Sequence, residues 1–165
     1  MTLSVNGITG AERASDNRND RSVIDLVATW KAMDQLTLMA NYDYGHESSM
    51  TTGTTGTAGF DSASWTGIAL YAKYDIDPKW SLAGRWEWFD DKDNVRLGLT
   101  GLGGGTLRGI NYFEYTATSQ WQLYEHLLAR LEYRHDQAGE QIFFHRGDKF
   151  ANSQDTIAAE LVYHF

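Results

Sequence analysis

The sequence predicts an all-β fold, an eight-stranded antiparallel up-and-down barrel that forms one domain over residues 1–165. Three observations predict it. Apolar and polar residues alternate with period two along almost the whole chain. Aromatics make up 13% of the residues, Gly occurs 16 times, Pro once and Cys never, a profile that suits strands and turns and disfavours helices. Long and short connections alternate, which sorts them onto opposite ends of a barrel.

Leu3 and Val5 mark a short opening strand. In the second, Ile24, Leu26, Ala28 and Trp30 alternate with Val23, Asp25, Val27 and Thr29; in the third, Leu36, Leu38, Ala40, Tyr42 and Tyr44 alternate with Thr37, Met39, Asn41 and Asp43. Ile68, Leu70, Ala72 and Tyr74 carry the apolar face of the fourth, and Trp80, Leu82, Gly84, Trp86 and Trp88 that of the fifth, with Arg85 and Glu87 on the other side. The sixth lies between Leu107 and Thr118, with Phe113, Tyr115 and Ala117 outward and Asn111 out of pattern. Leu127, Ala129, Leu131 and Tyr133 define the seventh, and Ile157, Ala159, Leu161, Tyr163 and Phe165 the eighth. Eight is an even number, as closure with both termini on one side requires.

Short links fall near 31–35, 75–79 and 118–124; long polar links fall near 7–21, 45–62, 90–106 and 136–153. Pro78 sits in a short turn, where no ladder hydrogen bond is lost. Such segregation fits a transmembrane barrel with short periplasmic turns and long external loops, and nothing in a soluble barrel demands it. No run approaches the roughly 18 apolar residues of a spanning helix, so a membrane role must use strands. The start, Met1 to Val5, lacks the basic and apolar regions of a secretory leader and reads as a mature segment behind an initiator Met.

With the termini on the short-turn side, the outward aromatics fall into two groups. Trp30, Tyr74, Trp80, Tyr163 and Phe165 lie toward the turns, and Tyr42, Tyr44, Trp86, Trp88 and Tyr133 toward the loops, with an aliphatic band between them. Paired aromatic girdles around such a band mark a lipid-facing surface. A soluble lipocalin-like ligand-binding barrel would show the same alternation but gives no reason for the girdles. A surface binding or adhesion barrel acting through its loops is a further reading.

Several segments resemble the C-terminal part of OmpL-like outer-membrane β-barrel porins: Arg85-Trp86-Glu87-Trp88-Phe89-Asp90-Asp91, Leu131-Glu132-Tyr133-Arg134-His135-Asp136 and Leu161-Val162-Tyr163-His164-Phe165, with Asp25-Leu26-Val27 and Asn41-Tyr42-Asp43-Tyr44-Gly45. The resemblance implies a Gram-negative outer-membrane location and passive diffusion of small solutes. The closing aromatic-x-Phe pattern of Tyr163 and Phe165 also resembles the recognition signal that the barrel-assembly machinery reads in outer-membrane proteins generally. Family members are longer and carry more strands, whereas this chain has enough for eight. Eight strands enclose an interior that side chains fill, which predicts at most a narrow pore.

The polar side carries a predicted lumen charge network of Asp25, Asp43, Lys73, Arg85, Glu87, Arg108, Glu114, Arg130, Glu132, Arg134 and Glu160. Opposite charges there should pair, because a lone charge in a tight lumen is costly. It reads either as an ion-selecting ladder or as a polar plug, and the small strand number favours the plug. His46 with Ser48 and His135 with Asp136 form no catalytic motif, and neighbouring residues on a strand point to opposite faces, so no enzyme is expected. Neither metal-ligand spacing nor a phosphate loop is present, and no cofactor is expected. A net charge of -8 disfavours nucleic acid as a partner. The expected partner is membrane lipid, with Arg13, Arg18 and Arg21 as candidate contacts to lipopolysaccharide phosphates, and the expected state is a monomer.

Overall fold

A computed structural model describes residues 1–12, 19–51, 60–98, 109–145 and 149–165. Among the described residues there is no helix, and the chain forms ten strands: β1 (Thr2–Gly10), β2 (Arg21–Lys31), β3 (Leu36–Thr51), β4 (Phe60–Asp75), β5 (Trp80–Asp91), β6 (Ile110–Tyr124), β7 (Leu127–Ala138), β8 (Phe143–His145), β9 (Lys149–Ala151) and β10 (Ser153–Tyr163). Eight of them make one antiparallel sheet in the order β1-β2-β3-β4-β5-β6-β7-β10. Strands β8 and β9 form a separate two-stranded hairpin inside the connection from β7 to β10.

The eight strands do not close. Strands β1 and β10 are the two edges and are not paired with each other, which corrects the expectation of a closed eight-stranded barrel. Alternation assigns faces to residues, but closure depends on tilt and shear between strands, which no local pattern encodes. Every residue of β10 and all but the last of β1 are exposed. Other boundaries also moved. Strand β1 is longer than expected, and β6 continues to Tyr124, so its link to β7 is the two residues Glu125 and His126. The long 136–153 link contains the β8–β9 hairpin.

The register of β6, open in the sequence, is fixed by its pairing with β5. Trp88 faces Phe113, Trp86 faces Tyr115 and Gly84 faces Ala117, placing Phe113, Tyr115 and Ala117 on the apolar face. Short connections are tightly hydrogen-bonded. In the turn after β4, the Asp77 carboxylate accepts from the backbone N–H of Lys79 (2.7 Å) and Trp80 (2.9 Å), while Pro78 has no N–H that needs an acceptor. The turn after β2 is closed by Ala32 N–H to the Leu36 carbonyl at 2.9 Å.

The two faces differ in shelter. Buried residues of the sheet, among them Gly45, Glu47, Ala63, Trp65, Gly67, Ala69, Ser81, Asp91, Ile110, Glu114, Asp136 and Ala138, share one face by register. The sheet therefore curls toward this polar face. Large apolar side chains on the other face stay exposed, including Leu70, Leu82, Leu131 and Leu161. A soluble barrel would invert this, packing its leucines inside.

Candidate functional site

On the sheltered face, strands β5 to β7 stack their charges in rows. Glu87, Glu114 and Asp136 lie opposite one another across the three strands, and Arg85, Thr116 and Arg134 form the next row toward the short turns. A carboxylate row therefore lies directly against a guanidinium row, and period two along each strand enforces the adjacency. Arg85 pairs with Glu87 at 3.2 Å and also with the fully buried Glu114. Arg134 reaches Asp136 at 2.8 Å and Glu114 at 4.0 Å. Asp136 also accepts from the Tyr112 hydroxyl at 2.5 Å and the Gln154 amide at 3.0 Å, and Thr116 donates to Glu114. These contacts offset much of the cost of removing the carboxylates from solvent, although among the described residues Glu114 Oε2 and Arg85 Nε are buried without a hydrogen-bond partner.

Nearer the turns, the Thr118 hydroxyl donates to Glu132 at 3.0 Å, and Arg130 joins Glu160 of β10 at 2.7 Å and Gln120 at 3.3 Å. Lys73 pairs with Asp75 at 2.6 Å, one step along its own strand. Between the ion pairs a cavity of about 370 Å³ is lined by Thr29, Met39, Arg85, Thr118, Glu132 and Arg134, among others.

Strands β2 and β3 are different. Asp25 and Asp43 lie directly opposite each other, and among the described residues no cation is within ion-pair distance of either. Amides hold Asp25: Asn41 donates to Oδ1 at 2.5 Å and Asn6 of β1 to Oδ2 at 2.7 Å. Ten of the eleven predicted network residues thus have a place on this face; Arg108 lies outside the described residues.

The loop end of this face holds residues that the sequence reading did not place in the charge network. Arg21 closes on the buried Glu47 at 2.6 Å. Trp65, 6% exposed, lies against Gly45 on the opposite strand, where an added Cβ would come within 1.9 Å of the indole. Only glycine fits there. Beyond β5, the Asp91 carboxylate accepts from the backbone N–H groups of Val95, Arg96 and Leu97 at 2.9 to 3.0 Å, and the Arg96 guanidinium sits 5.0 Å from the Trp65 ring centroid. Phe143, at the base of the β8–β9 hairpin, meets Tyr112 with ring centroids 6.1 Å apart. Alternation could have found Trp65, which stands two residues before Gly67. Glu47, Asp91 and Asp136 were missed as charge-network members because they fall within or beside segments expected to be loops.

On the apolar face, Trp30, Tyr74 and Trp80 lie at the turn end, Tyr163 lies opposite Leu127, and Phe165 follows β10. Tyr42, Tyr44, Trp86, Trp88 and Tyr133 lie nearer the loops. Trp121, directly opposite Trp80, joins the turn-end group; it escaped prediction because β6 was expected to stop at Thr118. Trp80 donates its indole N–H to Ser119 at 2.9 Å, and Tyr133 its hydroxyl to Asp155 at 2.6 Å, so each ring keeps a polar partner beside an apolar body.

His135 and Asp136 point to opposite faces, His135 meeting Asp155 at 2.8 Å. Ser48 donates to the Asp20 carbonyl at 3.1 Å. Among the described residues no group of three or more His, Cys, Asp or Glu is arranged to hold a metal. Arg21, one of the candidate lipopolysaccharide contacts, is engaged by Glu47, while Arg13 and Arg18 lie outside the described residues.

An all-antiparallel sheet with a charged, sheltered face and an exposed aliphatic face flanked by aromatics defines a porin-like β-barrel protein. The chain belongs to the family described as putative beta-barrel porin-2, OmpL-like, whose model matches residues 1–165. No curated protein and no solved structure matches it.

Proposed function

We propose that this chain forms the wall of a bacterial outer-membrane pore, with its charged face lining a narrow passage for small solutes and ions and its aliphatic face meeting lipid. It acts as a passive channel and not as an enzyme. The observation that carries this reading is the open space of about 370 Å³ beside Arg85, Glu132 and Arg134, room that ion pairing alone does not fill. Were the sheet to close on itself at eight strands, side chains would crowd the interior and the passage would be narrow. By register this face carries Asp25, Asp43, Glu47, Glu87, Asp91, Glu114, Glu132, Asp136 and Glu160 against Arg21, Lys73, Arg85, Arg130 and Arg134, an acidic excess. Such a lining favours cations over anions.

Planar-bilayer recording of the refolded protein tests the proposal. Small discrete conductance steps with a reversal potential favouring potassium over chloride are expected. A membrane that stays silent, or a protein that remains monodisperse without detergent, overturns it.

A further inference from the structure

The loop end of the charged face carries a cation set apart from the ion-paired rows. Residues Lys92 to Gly98 form a turn pinned at several points. Asp91 holds three of its backbone N–H groups, Asp93 accepts from the Ser64 N–H on β4 at 3.0 Å, and the Lys92 carbonyl accepts from the Gly109 N–H at 2.9 Å. This fixed turn lays Arg96 over Trp65, whose ring belongs to the sheltered face. Stacking on an indole fixes a guanidinium while leaving its N–H edge available, and Arg96 remains exposed above a nearly buried ring.

Carboxylates at this end are already engaged: Asp91 and Asp93 by backbone donors, Glu47 by Arg21. Among the described residues none is within ion-pair distance of Arg96. We propose that Arg96 is a specificity-determining residue at the external mouth, presenting the unpaired edge of its guanidinium to small carboxylate-bearing solutes before they enter an otherwise acidic passage. A planar fork of donors matches a carboxylate in two-point contact. Set in front of an acidic lining, it also restrains the cation preference of the pore. The inference rests on the pore reading above.

Bilayer recordings of the wild-type protein, Arg96→Gln and Arg96→Lys test it, with succinate as the blocking probe and heat-modifiable gel mobility as the check on folding. Arg96→Gln should move the reversal potential further toward potassium and raise the succinate concentration for half-block roughly tenfold, the worth of one charge-assisted hydrogen bond. Arg96→Lys should hold the reversal potential near wild type yet weaken the block, because an ammonium lacks the fork. Wild-type block and reversal potential in a conducting Arg96→Gln protein overturn this inference and leave the pore reading standing. A silent wild-type protein overturns both.

Discussion

Strands β5 to β7 and strands β2 to β3 carry the same period-two alternation, but they neutralise their inward charge in opposite ways. In the first region carboxylates and guanidiniums alternate by row, so that Arg85 and Arg134 each contact two acids. In the second, Asp25 and Asp43 stand face to face, and the amides of Asn41 and Asn6 reach Asp25. Like charges directly opposite in an antiparallel pair are unfavourable, while amide donors offset part of that cost without supplying charge. One region is thus held together by its charges, and the other is held together in spite of them.

Substitutions can break that contrast. Arg85→Ala should do most damage, since it strips the buried Glu114 of its nearest cation. A loss of about 3 kcal/mol in stability is expected, at the low end for a broken buried pair because Arg134 stays within reach. Urea titration of the protein refolded into lipid vesicles would measure it, and an unchanged midpoint would mean the rows are decorative. Asn41→Ala should cost less, about 2 kcal/mol, by removing a hydrogen bond to a charged oxygen. Asp43→Asn should be the smallest change and of opposite sign, a gain of about 0.5 kcal/mol as the like-charge repulsion is lifted. The same titration reads both, and destabilisation by Asp43→Asn would show that the facing carboxylates attract through a shared proton.

Much of this pattern was legible from residue order. The faces of β2, β3, β4, β5, β7 and β10 follow from alternation, because a period of two leaves no freedom over which side a residue takes. That alone put Arg85 with Glu87, and Arg134 with Glu132, on the polar side. Strand β6 was harder: Ser119, Gln120 and Gln122 look like a polar link until Trp121 is seen to face Trp80. The β8–β9 hairpin has three residues per strand, too few to show a period. The mouth was illegible for a different reason. Arg96 reaches Trp65 only through a turn nucleated by the Asp91 side chain, a tertiary relation between residues 31 positions apart that carries no local signature.

If the chain enters a bilayer as proposed, the two unmatched flanks of the sheet set the order of events. Hydrocarbon offers no donors or acceptors, so each bare peptide group on β1 or β10 that left water would forfeit several kcal/mol. Leu161 and Tyr163 draw the same strand toward lipid. The seam on either side must therefore be zipped to a neighbouring strand while it is still wet, and descent into the membrane can be no faster than that zipping.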